Sequence, residues 1–415
     1  MNDFTELPFN PKPSTLMHID INSCFATIEQ QANPYLRGKP IAVAAYDSPA
    51  GCILAASIEA KQLGVKTGMR VKDGKLIYPK LIILTPDPPK YRDVHLKIKN
   101  VLHNYSEDVT PKSIDEFVVN LEGWPAFNSG MVTVAQEIKE KIKTEVGEWL
   151  KVSIGIAPNR FLAKTASGLK KPDGLEEICK ANYLGIFSRL QLMDLCGIKK
   201  GNATRLASAG IFSVLDFYNA SIQKLKQAFQ SVCGYHWYLR LHGWEIDDVE
   251  FDRKSFGNSF ALPIALKTPE ELAPILYKLV EKTARRLREA GFKTKGVHLA
   301  INYKDGSFWH HGEVLNKALF DSRDIFKQLF RILCRAPYKK PVGVLAESCF
   351  GLIPYDLSQL ELFDDVTKKY RLAEALDEVN SRWGEFVITP ARLLMAKEYV
   401  HDRIAFGGVK ELTEF

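Results

Sequence analysis

Three carboxylates stand out for the company they keep. Asp115 and Glu116 are neighbours in SIDEFVVNLEG (113–123), at the mouth of the apolar run Phe117-Val118-Val119. Side chains alternate faces along a strand, so an adjacent acidic pair normally turns one charge toward the core. Burying that charge without a partner is costly. Either the pair sits on a bend at a sheet edge, or a cation compensates for it. Asp20 ends a second apolar, strand-like run, Met17-His18-Ile19. An Asp ahead of a helix is also a common N-cap. Three carboxylates at the ends of two strands of one sheet would converge and repel, and such a cluster normally holds divalent metal. The chemistry that needs it is phosphoryl transfer by two ions about 3.5–4 Å apart, one at the attacking oxygen and one at the leaving group. Mg²⁺ takes oxygen ligands and keeps waters and substrate phosphates, so few protein carboxylates suffice.

The elements that must position these residues mix strands with helices. MHIDINSCFATIE predicts a short strand over 17–21 that turns into a helix. Residues 38–58 predict two strands around a Pro/Gly turn, and EAKQLGVKTGM a helix stopped by Gly64. From Pro89 to Tyr105 the pattern is an amphipathic helix with Leu96, Val101 and Leu102 on one side. SIDEFVVNLEG predicts one strand, GMVTVAQEIKEKIKTEVG a helix and KVSIGIAP another strand; FLAKTASGL opens a further helix, ended by KKPDG. Through about residue 178 this is an α+β or α/β layer structure. From about 180 to 247 short helices take over, and EFDRKS reads as a linker. Beyond it the segments alternate β-α-β-β-α-β, the split, ferredoxin-like pattern.

At 415 residues the chain is long enough for two to four domains. With 46% hydrophobic and 25% charged residues and no long apolar run, the composition is that of a soluble globular protein. The acidic, Pro-interrupted N-terminus predicts neither a signal peptide nor a membrane span. Seven scattered cysteines without a C-x-x-C pair argue against zinc and against a disulfide framework, and suit a reducing cytoplasm. The net charge of +7 is unevenly spread, because Arg253 to Lys340 holds 18 Lys/Arg against 8 Asp/Glu. A basic block of domain length suggests a polyanion partner, most often nucleic acid.

Three stretches carry a specific resemblance: HIDINSCFATIEQQANPYLRGKPIAV, then SIDEF, then VSIGIAPNRFLAKTASGLKKPDGL. Long, ordered and plausibly spaced, they resemble the palm and fingers of Y-family translesion DNA polymerases, in the DNA polymerase IV and UmuC-like branches. The resemblance implies an α+β, multidomain, right-hand polymerase of bacterial origin. Its palm would occupy 1–30 and 85–178, its fingers 31–84 and its helical thumb 179–248. A linker at 249–255, a little finger at 256–356 and a C-terminal tail at 357–415 would follow. The implied reaction is template-dependent addition of a dNTP to a primer 3′-OH, with low fidelity and lesion bypass.

By the same resemblance Asp20, Asp115, Glu116 and the Ile21 carbonyl would hold two Mg²⁺ ions, with Mn²⁺ as a substitute. Asn22 stands where some relatives carry a second Asp that is not a ligand. Phe25 matches the steric gate against a 2′-hydroxyl, and the amides of Cys24 and Phe25 would cradle phosphate oxygens. Lys164 matches a lysine that reaches the triphosphate. Where many relatives grip the triphosphate with Tyr and Arg, this chain has Ile58 and Lys61. Ile58 lacks the hydroxyl and Lys61 cannot fork bidentately, so weaker nucleotide binding is expected.

LMDLCGIKKGNATRLASAGI has the shape of a helix-hairpin-helix, with Gly197, Lys199, Lys200 and Gly201 placed for a DNA phosphate. Arg253, Lys254 and Ser255 open the little finger and would touch template phosphates; for Arg285, Arg286 and Arg288 charge alone leaves open a phosphate contact or a solvated helix face. QLELF resembles the peptide that binds the bacterial sliding clamp, through Gln359, Leu360, Leu362 and Phe363. The expected partners are primer–template DNA and that clamp, for a monomer in the cytoplasm with no membrane contact. Two rival readings remain: a weak or inactive clamp-tethered accessory, and a two-metal nuclease.

Overall fold

The computed structural model describes residues 7–249, 252–337, 339–355, 366–384, 386–388, 390–391 and 393. These fall into two compact units that divide near residue 250.

The first unit is built on a five-stranded sheet of β1 (Leu16–Ile21), β5 (Val109–Ser113), β6 (Glu116–Asn120), β7 (Val152–Ala157) and β8 (Leu175–Glu177), in the order β5-β6-β1-β7-β8. β1 is central and antiparallel to both neighbours. Strand alternation sorts its residues. Met17, Ile19 and Ile21 join Phe117, Val119, Val152, Ile154 and Ile156 in a core with α4 (Pro88–His103) and α5 (Met131–Lys141). His18 and Asp20 face the other side with Glu116, Ser153 and Gly155, where α6 (Arg160–Leu169) covers the sheet. Gly155 makes that approach possible, since a Cβ there would lie 2.0 Å from the Ala163 carbonyl oxygen.

Two expectations change. SIDEFVVNLEG is not one strand: β5 ends at Ser113, the chain reverses at Ile114–Asp115, and Glu116 begins β6. The run looks continuous in sequence because Ile114 is itself fully buried. The edge strand β5 was not predicted; Pro111 within it is tolerated at an edge. On α4 the buried stripe runs Tyr91, Val94, His95, Ile98, Val101 and Leu102, and leaves Leu96 at its margin.

A small sheet of β2 (Ile41–Ala44), β3 (Ile53–Ala56) and β4 (Ile82–Leu84), ordered β3-β2-β4, carries α2 (Ile58–Gln62) and α3 (Val71–Ile77). Helix α1 (Cys24–Ala32) links it to β1. After β8 come α7 (Tyr183–Phe187), α8 (Lys200–Ser208), α9 (Val214–Asn219), α10 (Ile222–Phe229) and α11 (Cys233–Leu241), packed around Phe187, Leu206, Phe217 and Trp237.

The second unit follows the expected β-α-β-β-α-β order: β9 (Ser255–Ala261), α12 (Pro269–Glu289), β10 (Phe292–Tyr303), β11 (Phe308–Leu319), α13 (Ser322–Cys334) and β12 (Val342–Pro354). Its four strands are antiparallel in the order β11-β10-β12-β9. The helix α14 (Val366–Trp383) docks here through a bidentate pair of Arg288 with Asp377, at 2.6 and 2.8 Å. Arg288 is therefore a latch rather than a member of a solvated face.

Candidate active site

Register brings the first two carboxylates together. Asp20 on β1 is the direct antiparallel partner of Glu116 on β6, so both side chains stand on the face under α6. Asp115 arrives from the hairpin turn. Its carbonyl accepts from the Ile21 amide at 2.9 Å, which ties the turn to the end of β1. His95 of α4, fully buried and stacked on Phe117, donates from Nδ1 to the Ile114 carbonyl at 3.0 Å. Ser113 Oγ donates to Asp115 Oδ1 at 2.6 Å. The adjacent acids thus sit on a bend, and cations compensate as well: both solutions to the sequence puzzle are used.

Lys164 Nζ lies 2.6 Å from Glu116 Oε2, and Lys171 Nζ lies 2.6 Å from Asp20 Oδ2. Burial alone would raise the pKa of Glu116, but His18 and Lys164 outweigh it and hold the carboxyl at about 2. Asp115 goes the other way, raised by burial and by the charges of Asp20 and Glu116. Burial, with Asp115 and Asp20 nearby, pushes the Cys24 thiol well up. Lys61 is lowered by burial and by Lys171, although the acids pull it back.

One ligand atom each from His18, Asp20 and Glu116 lies within 4.8 Å of the other two. His18 Nε2 is buried and 3.9 Å from Glu116 Oε2, too long for a hydrogen bond, and has no hydrogen-bond partner among the described residues. Sequence reasoning missed His18, although its place two residues before Asp20 puts it on the same strand face. Hard carboxylate oxygens suit a divalent cation such as Mg²⁺.

Beside the acids is a cavity of about 480 Å³, lined by Asp20, Ile21 and Asp115 on one wall and by Ile58 and Lys61 of α2 on another. Ser23, Cys24 and Phe25, at the start of α1, also line it. Ser23 is left-handed, with φ 53°, and makes no side-chain cap at the N-terminus of α1, the end of a helix that favours an anion. Phe25 is buried and stacks on Tyr91 at 4.3 Å. The Tyr91 hydroxyl donates to Glu29, which also accepts from Lys90 Nζ at 2.7 Å.

Lys171 lines the cavity and Lys164 does not; the ammonium of Lys164 is on Glu116 instead. Lys171 was passed over in the sequence because KKPDG reads simply as a helix stop. Asn22 is an interior brace: its Oδ1 accepts from Ser153 Oγ and from the Asp173 amide, fixing the loop that carries Lys171.

The remaining expected residues lie elsewhere. Gly197, at φ +87°, closes a turn through Asn202 Nδ2 on its carbonyl; Lys199 is the N-cap residue of α8, and Lys200 and Gly201 begin the helix. Arg253, Lys254 and Ser255 lead into β9 of the second unit, with the Arg253 guanidinium 4.5 Å over Phe256. Gln359, Leu360, Leu362 and Phe363 fall outside the described residues. No described helix is long and apolar enough to cross a membrane.

Residues 19–168 match the impB/mucB/samB family, and 253–362 match its C-terminal domain. DNA polymerase IV of Pelotomaculum thermopropionicum is 31% identical over 392 residues, covering 92% of this chain and 96% of the relative. DNA polymerase IV of Moorella thermoacetica is 32% identical, covering 90% and 94%. DNA polymerase IV 1 of Bacillus subtilis is 30% identical, covering 93% and 95%. Among solved structures, a Y-family DNA polymerase chimera of Dbh and Dpo4 aligns with TM-score 0.71 at 24% identity, over 82% of this chain and 99% of the other. A ternary insertion complex of Dbh DNA polymerase gives 0.56 at 23%, with the same coverage.

Proposed function

The chain belongs to the impB/mucB/samB family of bacterial Y-family DNA polymerases, and from that premise we propose how its residues perform template-directed nucleotide addition. It is a translesion DNA polymerase that acts on primer–template DNA and depends on divalent metal.

Asp20, Asp115 and Glu116, with the Ile21 carbonyl, hold two ions, Mg²⁺ by preference and Mn²⁺ as a substitute. Bound there, the ions would supply Lewis acidity to the primer hydroxyl and to the leaving pyrophosphate. The protein does the rest by placement. The α1 amides of Cys24 and Phe25 receive phosphate oxygens, Lys61 supplies positive charge from the facing wall, and Lys171 supplies it from beside Asp20. The Phe25 ring, backed by Tyr91, closes the space beneath the sugar. Lys164 keeps Glu116 ionised and oriented. Ile58 packs against the nascent base pair. The thumb turn at 197–201 and Arg253, Lys254 and Ser255 grip phosphates without reading sequence. The QLELF peptide tethers a monomeric enzyme to the sliding clamp.

The observation that carries this reading is the register that sets Asp20 opposite Glu116, with Asp115 on the adjoining turn, at the edge of a nucleotide-sized cavity. Primer extension on an undamaged template with Mg²⁺ tests it. Asp115→Ala and Glu116→Ala should each lose activity by about 10²–10³-fold while DNA binding persists. Extension at the native rate by either variant would remove that residue from the metal site. No extension by the native chain would point to a missing partner.

A further inference from the structure

The open face of the second unit's sheet holds a pair of histidines that polymerase chemistry does not use. Along β10, Val297, Leu299 and Ile301 are buried on the helix-covered side, while His298, Ala300 and Asn302 alternate to the open side. Across the ladder, His298 is opposite Gly312 and Ala300 is opposite His310, so the two imidazoles are diagonal neighbours on one face. His298 Nε2 lies 3.1 Å from His310 Nδ1, one ring donating to the other. Gly312 gives the first ring its room: a Cβ there would come within 3.2 Å of His298 Cδ2. The Phe308 ring walls the second, 5.2 Å from His310.

We propose that His298 and His310 form a bidentate site for a borderline divalent transition ion, Zn²⁺ or Ni²⁺, on the open face of this sheet. The bite fits. Two nitrogens 3.1 Å apart, each about 2.1 Å from an ion, subtend about 95° there, between octahedral and tetrahedral values. Turning each ring about its last side-chain bond replaces the imidazole–imidazole hydrogen bond with two metal–nitrogen bonds. Water takes the remaining positions. Imidazole ligands select against Mg²⁺, which prefers oxygen, so Mg²⁺ does not occupy this site. Burial and the neighbouring His310 and His311 lower the pKa of His298, which keeps its ring in the neutral form that ligates. His311, the next residue on β11, alternates away and pairs instead with Glu313 at 3.5 Å.

Isothermal titration of the full chain with Ni²⁺, in excess Mg²⁺ to occupy the carboxylates, reads the site directly. One equivalent should bind to the native protein. His298→Ala and His310→Ala should each weaken that binding at least tenfold, and His311→Ala should leave it unchanged. Both rings are surface groups, and His298→Gln and His310→Gln provide second variants should an alanine disturb the fold. A native-like isotherm in the His298 and His310 variants would overturn the proposal. So would an equal loss in His311→Ala, which would place the ion elsewhere.

Discussion

Glu116 is half-buried and Glu347 fully buried, and their neighbours send the two carboxylates in opposite directions. Glu116, beside Lys164 and His18, stays ionised down to about pH 2, so its contribution to stability is present above about 4.5 and lost as pH falls toward 2. Glu347 on β12 accepts from Thr283 Oγ1, while its other oxygen has no hydrogen-bond partner among the described residues. Burial pushes it up to about 7, and Thr283 and Arg286 offset this only in part. The folded chain then keeps a proton that the unfolded chain releases near 4.5. Stability from this group is full below that pH and falls by about 3 kcal/mol as pH rises through 7. Glu347→Gln should flatten the rise in stability on going from about pH 8 to pH 5, followed by urea unfolding; an unaltered slope would rule Glu347 out. At the cavity, Phe25→Ala should admit ribonucleotides by about 10²-fold relative to deoxynucleotides in single-nucleotide insertion. Selectivity equal to the native enzyme would place the gate elsewhere.

Gly155 decides how closely α6 can lie on β7. Its Cβ would also fall 2.2 Å from the Ser167 amide nitrogen, so Gly155→Ala must push the helix off the sheet and carry Lys164 with it. Overpacking against backbone should cost roughly 3 kcal/mol in urea unfolding and reduce extension too. Native stability would show that the layers yield more easily than their spacing suggests. The elements were largely legible in the sequence, because apolar period and Gly/Pro punctuation report burial and turns. The residues of β1, α1, β7 and α6 stand out in that way. The hairpin at Ile114–Asp115 did not, since a buried Ile in a turn mimics an unbroken strand. Lys171 and His95 were illegible for another reason: each acts across a fold contact, Lys171 on Asp20 and His95 on the Ile114 carbonyl, and nothing local marks it. Asp115 and Glu116 drew notice because an adjacent acidic pair at a strand end is itself anomalous, whereas Asp20, read alone as an N-cap, joined them only through the family resemblance of its flanking residues.

In the whole molecule, the basic block of the second unit predicts DNA binding that weakens steeply with salt. Arg253→Ala and Lys254→Ala should each reduce the log–log salt slope by about 1. Slopes identical to the native chain would take those residues off the phosphates. Leu362→Ala with Phe363→Ala should abolish binding to a bacterial sliding clamp while leaving extension of a short primer intact, and retained clamp binding would dismiss QLELF. The central place of β1 has a consequence for how the chain is made. Its partners, β6 and β7, leave the ribosome roughly 100 and 130 residues after it. At about 5–20 residues per second, the strand bearing Asp20 waits on the order of ten seconds with both hydrogen-bonding edges bare. Nascent chains stalled before residue 152 should therefore be the form of this protein most dependent on chaperones.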